Sequence, residues 1–133
     1  ETAHKCEFWQ GDACNLSDKF SNYDLVFAGN LIDRLYEPEK FVSRIHELIN
    51  EDGLLVITSP YTWLSEFTEP ENWIGGYKRD GENFTTLDGL KELLAPHFDL
   101  VDEPRDVPFV IRETARKFQH SVAQMSVWHK RKK

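Results

Sequence analysis

Three points along the chain place chemically competent side chains directly behind an apolar run. Asp12 and Ala13 follow residues 5–10, Gly29, Asn30 and Leu31 follow residues 23–28, and Ser59, Pro60 and Tyr61 follow residues 54–58. A carboxylate behind a buried strand can accept hydrogen bonds from the amino or hydroxyl groups of a small polar ligand. Asp12 is also the residue type that caps turns, and on spacing alone that is its commoner role. Gly29 and Asn30 tolerate positive φ and a close approach of backbone to a ligand, as ordinary loop residues also do. Tyr61 and Trp63 could line a pocket, although isolated aromatics more often sit in a core. His46 and Cys14 read as structural. No His or Cys residues stand at zinc spacing, and two cysteines make no disulfide framework, so no metal site is expected.

Side chains of this kind need a rigid frame. The chain has 133 residues, 40% hydrophobic and 13% aromatic, with a net charge of −7. That supports one compact domain over residues 1–133 and excludes a disordered acidic tail. No apolar stretch approaches the ~20 residues of a membrane span. Seven basic residues and one acidic lie between Arg112 and Lys133, so the rest of the chain is strongly acidic. Four of the seven sit at the very end, and an acidic body repels phosphates, so no nucleic-acid partner is expected. A reduced, cytoplasmic setting and a small-molecule ligand are the expectations. The chain opens on Glu1, which is expected of a piece of a longer polypeptide without a targeting segment.

Residues 5–10 read as a short strand with a turn after it. Residues 23–28 form a nearly continuous apolar run, the mark of a strand covered on both faces. Pro38 suits a first helical position, and Phe41, Val42, Ile45, Leu48 and Ile49 make one apolar stripe. Residues 50–53 should stop that helix, with Gly53 as its left-handed cap. Residues 54–58 form the next strand. Residues 61–84 hold five large aromatics and no long periodic segment, so an ordered lid is expected there. Thr86 could cap a second helix carrying Leu87, Leu90, Leu93 and Leu94, limited by Pro96. Strands are expected to begin at 98–101 and to occupy 119–128, while 108–116 reads as either strand or loop. The order strand–strand–helix–strand–helix–strand–strand indicates an α/β, Rossmann-like sheet with helical crossovers, closed by an antiparallel hairpin.

These strand ends together resemble the back half of class I S-adenosylmethionine-dependent methyltransferases. Residues 23–28, Tyr-Asp-Leu-Val-Phe-Ala, are similar to that family's fourth strand. Residues 51–57, Glu-Asp-Gly-Leu-Leu-Val-Ile, are similar to its helix-to-fifth-strand junction. Residues 27–35, 55–64 (with Ser-Pro-Tyr-Thr-Trp), 71–76 and 106–113 narrow the likeness. They resemble the C-terminal 4-mercaptohistidine N-methyltransferase domain of the bifunctional ovothiol-forming enzymes, over almost the whole span from Phe8 to Arg131.

The resemblance implies that Asp12 and Ala13, with Gly29, Asn30 and Leu31, contact S-adenosylmethionine. It implies an imidazole nitrogen as the nucleophile, with Asp33 or Tyr61 as base or ring-orienting group. Asp33 equally suits a helix start. The acceptor's carboxylate would want a bidentate cation, Arg112 before Arg34, and Tyr61 and Trp63 would line the acceptor pocket; either Arg is as readily a surface ion pair. One departure is plain: the seven glycines give no G-x-G, and the acidic residue expected for the cofactor's ribose is missing. The cofactor-loop unit is therefore absent, and the chain alone is expected to bind cofactor poorly. Its implied partners are the preceding part of its own domain and a sulfoxide synthase domain. The alternatives are a methyltransferase for another small molecule and a noncatalytic module that kept the sheet.

Overall fold

The structure, a computed structural model, describes residues 3–132. Its frame is a four-stranded sheet in the order β1 (Tyr23–Gly29), β2 (Ile49–Ser59), β6 (Phe118–Lys130), β5 (Phe98–Arg112). A small hairpin of β3 (Tyr77–Arg79) and β4 (Glu82–Phe84) stands apart. Only β1 and β2 pair in parallel; β6 is antiparallel to both β2 and β5. Helix α1 (Pro38–Arg44) makes the crossover from β1 to β2. Helix α2 (Thr86–Leu94) leads from the β3–β4 hairpin to β5, which runs in the direction of β2 with β6 between them.

Both helices pack on one face of the sheet. Phe41, Val42 and Ile45 from α1 and the turn after it meet Leu55 and Ile57 of β2, Leu90 and Leu94 of α2, and Trp128 of β6. All are buried, Ile57 and Leu90 completely. The period-2 alternation of β2 decides which residues these are: Leu55, Ile57 and Ser59 point inward, while Leu54, Val56 and Thr58 point to the other side. That other side carries no helix among the described residues. Across it the register aligns Phe27, Val56, Val127 and Val101, one from each strand. Phe27 is 64% exposed and Val101 39%.

Several local expectations are corrected. Residues 5–10 form no strand; two short 3-10 turns, Ala3–Lys5 and Ala13–Asn15, flank an exposed segment in which Phe8 and Trp9 find no ladder partner. The first helix ends at Arg44, followed by a 3-10 turn over Ile45–Glu47, so β2 starts as early as Ile49. Asp52, not Gly53, takes the left-handed conformation, inside an irregular stretch of β2. Gly53 instead lies close beneath Ile49 and the Asp24 carbonyl. The cap of α2 is Thr85, whose hydroxyl accepts from the Asp88 N–H while the Asp88 carboxylate accepts from the Thr85 N–H. Residues 108–112 are strand, and the hairpin turns at 113–117.

Residues 61–84 are anchored rather than lid-like. The Trp63 indole N–H donates to the Thr86 hydroxyl at 2.9 Å, and Trp73 donates to the Thr68 carbonyl at 2.9 Å. The backbone here runs so close to α2 that a β-carbon on Gly89 would stand 2.0 Å from the Ile74 carbonyl oxygen. In an exposed helix interior, Gly→Ala would stabilise by about 1 kcal/mol. Here Gly89→Ala should destabilise by about 1–3 kcal/mol through overpacking, read as a lower urea midpoint.

Candidate functional site

The two parallel strands leave the sheet in the same way. Just past β1, Asn30 adopts φ 51°; two residues past β2, Tyr61 adopts φ 57°. Asn tolerates this region, whereas an aromatic residue there costs of order 1–3 kcal/mol and marks a place where the surroundings over-determine the backbone. The surroundings are visible. The Asn30 N–H donates to the Thr58 carbonyl at 2.8 Å, and the Thr58 hydroxyl donates to Asn30 Oδ1 at 3.2 Å. The Tyr61 N–H donates to Ser59 Oγ at 2.9 Å, and its phenol donates to Gln124 Oε1 at 2.7 Å. Burial, and secondarily the Asp33 carboxylate, pushes the Tyr61 phenol up to about 12. Tyr61 therefore stays protonated at neutral pH and acts as a donor.

Asp33 ties the two exits together. It lies in the 3-10 turn Ile32–Arg34 and is 1% exposed. Its Oδ2 accepts the Thr62 N–H at 3.0 Å. Among the described residues no hydrogen bond reaches its Oδ1, which carries what little exposure Asp33 has. Arg34 is fixed through one nitrogen: Nη1 donates to the Asp33 carbonyl at 3.0 Å and the Thr62 carbonyl at 2.9 Å. The guanidinium also rests 4.9 Å from the Phe67 ring centroid. Its Nη2 and Nε have no partner among the described residues, leaving one edge of the fork for an anion.

Asn30, Asp33, Arg34, Pro60 and Thr62 line one side of a cleft of about 190 Å³, and Phe109, Ile111, Gln119 and Ser121 of the β5–β6 hairpin line the other. A clustered carboxylate and guanidinium beside apolar side chains, at the carboxyl ends of parallel strands, suit a small polar ligand.

Asp12 stands nearby but not on this cleft. Its Oδ1 caps the Ala13–Asn15 turn by accepting the Cys14 N–H at 2.8 Å, and its Oδ2 accepts the Tyr36 hydroxyl. Tyr36 and Glu37, whose carbonyl accepts from Cys14 Sγ, belong to the loop leaving β1, so the turn is bound to the same end of the sheet. Asp12 lines a separate cavity of about 530 Å³ with Trp9, Leu16, Phe20 and Arg44. The Tyr36 hydroxyl first, then the Cys14 N–H, hold the Asp12 carboxyl below its usual range, and the same bond pushes Tyr36 up to about 12.

Of the residues expected at a site, Asn30, Asp33 and Arg34 share the cleft, with Gly29 and Leu31 adjoining in sequence and Tyr61 between two lining residues. Ala13 sits on the apolar groove beside β1 with Leu16 and Val26. Trp63 is part of the core, 8% exposed. Arg112 stands near the hairpin tip, exposed, with its Nε donating to the Thr114 carbonyl; Arg34, the second choice for an anion, is the one on the cleft. Thr62, Tyr36, Gln119 and Ser121 were not singled out from sequence, because nothing in their spacing announces long-range contacts.

No family model and no curated protein matches the chain. Solved structures do. An S-adenosylmethionine-dependent methyltransferase of Methanosarcina mazei is 17% identical with a TM-score of 0.60, over 92% of this chain and 66% of that one. A structure from work on the conversion of a disulfide bond into a thioacetal group during echinomycin biosynthesis is 14% identical with a TM-score of 0.60, over 91% and 54%. A Bacillus halodurans C-125 protein assigned to the methyltransferases is 14% identical with a TM-score of 0.57, over 92% and 71%. The fold is thus that of the class I methyltransferases. The chain spans 54% and 66% of the lengths of the first two of these structures.

The Asp12–Tyr36 pair has a testable sign. A carboxyl titrating lower in the folded than in the unfolded state stabilises the fold above its unfolded pKa, and loses that contribution as pH falls through the lowered value. Tyr36→Phe should raise the Asp12 pKa towards the usual range in a carbon-detected NMR titration and flatten the acid limb of stability. An unchanged Asp12 titration would show that Tyr36 is not the cause.

Proposed function

We propose that this chain is the C-terminal part of a class I methyltransferase domain that transfers a methyl group from S-adenosylmethionine to an imidazole nitrogen of 4-mercaptohistidine, in ovothiol biosynthesis. The observation that carries the reading is the Asp33–Arg34 cleft at the carboxyl ends of the parallel pair. The fold neighbours support a methyltransferase, and the sequence likeness over residues 27–35, 55–64, 71–76 and 106–113 supports the acceptor.

The residues present fit the adenosyl end of the cofactor. Asp12 is exposed, and although both its oxygens already accept a bond, each carboxylate oxygen has a second acceptor site for an amino or hydroxyl group. Gly29, Asn30 and Leu31 offer backbone at the adjoining strand exit. S-adenosylmethionine, when bound, supplies a methyl on a sulfonium with a neutral leaving group, so the protein's work is positioning and exclusion of water. Arg34 holds the acceptor's carboxylate with its free edge. Asp33 Oδ1 accepts a ring N–H, orienting the imidazole and taking the proton where the attacking nitrogen carries one. Tyr61, kept protonated, braces the loop that presents Thr62.

The uncovered face of the sheet supports the further proposal that the preceding part of the same domain, with a sulfoxide synthase domain upstream of it, is its partner. The reaction is proposed for that complete protein, in a cytoplasmic setting. The second reading is a noncatalytic module that kept the sheet. Binding separates the two. The complete protein should bind S-adenosylhomocysteine in calorimetry, more weakly as Asp12→Ala, and the 133-residue chain only poorly. It should methylate 4-mercaptohistidine at least about tenfold faster than histidine. Arg34→Ala should raise KM by about 10–100-fold, the loss of a charged hydrogen bond. No cofactor binding by the complete protein would favour the noncatalytic module, and equal turnover of unrelated acceptors a different substrate.

A further inference from the structure

The β5–β6 hairpin extends well past the sheet. The last rung between β2 and β6 is Ser59↔Gln124, yet β5 and β6 continue pairing from Val107↔Ala123 to Arg112↔Phe118. An isolated two-stranded ribbon is marginal by itself, and this one exposes apolar residues, Val110 at 61% and Phe118 at 58%. At its base β5 shifts register between Val101 and Arg105, with Asp102 at φ 57°. Such irregularities bend a strand and re-aim the residues beyond the bend.

The direction taken is specific. Alternation along the arm puts the Phe109–Ser121 and Ile111–Gln119 rungs against the cleft, and the intervening Val110–His120 rung on the other side. The side chains of Gln119 and Ser121 have no hydrogen-bond partner among the described residues. Two polar groups without internal partners, set beside two apolar ones, face Asp33 and Arg34 across about 190 Å³. That is below the about 300–1,000 Å³ of clefts that engulf drug-sized ligands, so the occupant is small.

We infer that the arm is the selecting wall of the acceptor site, with Gln119 and Ser121 hydrogen-bonding the polar edge of a small planar acceptor that packs against Phe109 and Ile111. Arg34 and Asp33 fix the acceptor's charged end; the arm reads its ring and substituent. This rests on the methyl-acceptor reading and adds to it the residues that choose among acceptors.

The test is an amide-shift titration of the complete protein, isotope-labelled over these 133 residues, with 4-mercaptohistidine and with histidine, alongside methyl transfer by the same protein. The amides of Phe109, Ile111, Gln119 and Ser121 should move, and those of Val110 and His120 much less. Gln119→Leu and Ser121→Ala should each weaken 4-mercaptohistidine by about tenfold, the cost of a hydrogen bond with its partner left unmet, and narrow its preference over histidine. His120→Ala, on the same strand but facing away, should change neither by more than about twofold. Turnover of 4-mercaptohistidine with affinity and preference unaltered in Gln119→Leu and Ser121→Ala would overturn the arm's role while leaving the acceptor reading intact. Absence of any methyl transfer, with the alternating shifts still present, would sink the reaction but keep the selecting wall. Absence of shifts along the arm with either probe would overturn the wall outright.

Discussion

A buried carboxylate joins the two halves of the candidate site. Parallel strands cannot be joined by a tight turn, so the loops leaving β1 and β2 come together through contacts made after the strands end. Asp33 supplies the central one, accepting the Thr62 N–H from a position 1% exposed. A carboxylate that deep is costly unless its oxygens are occupied. Oδ2 is occupied by the partner loop and by the neighbouring Arg34, 3.5 Å away, while Oδ1 has no partner among the described residues. The interaction that fixes the geometry therefore also leaves one acceptor oxygen unpaired beside the cleft. The Asn30–Thr58 clamp and the left-handed Tyr61 hold the same two exits from the sheet side.

The frame around this point is half covered. Helices α1 and α2, with residues 61–84 locked against α2, bury one face of the sheet. The row Phe27, Val56, Val127 and Val101 faces outward on the other. Parallel α/β sheets are normally covered on both faces. Among the described residues the outer edge of β1 has no strand partner, and Phe8 and Trp9 are exposed.

Much of the frame was legible in the sequence because local signals and burial agreed there. Residues 23–28 and 54–58 are apolar runs bounded by Gly, Asn and Pro, and they form the parallel β1–β2 pair; β1 is not covered on both faces as expected, since of its residues only Ala28 is buried while Tyr23, Leu25 and Phe27 are exposed. Pro38 did open α1, and the terminal hairpin was readable from its two apolar stretches. The Lys5–Gln10 segment failed because an apolar dipeptide does not make a strand without a neighbour to pair with. The cap moved from Thr86 to Thr85 because a reciprocal bond with Asp88 outweighs simple adjacency. At the site, Asn30, Asp33 and Arg34 were visible as polar residues behind a strand. Trp63 was not separable from a pocket wall, since its burial comes from packing in the core and beside Trp73, with its indole N–H satisfied by Thr86, none of which spacing announces. Arg112 was placed before Arg34, yet Arg34 is the one on the cleft, because that order depends on where the hairpin bends, and the bend follows a register shift between Val101 and Arg105. The Tyr36–Asp12 bond likewise joins residues 24 apart, with no periodicity to announce it.

A structure of the complete protein with 4-mercaptohistidine bound tests the central claim most directly. The account predicts the ligand in the cleft between the strand exits and the hairpin arm, its carboxylate on the free edge of Arg34 and a ring nitrogen towards Asp33 Oδ1. A ligand seated elsewhere, with the Asp33–Arg34 cleft filled only by solvent, would contradict it.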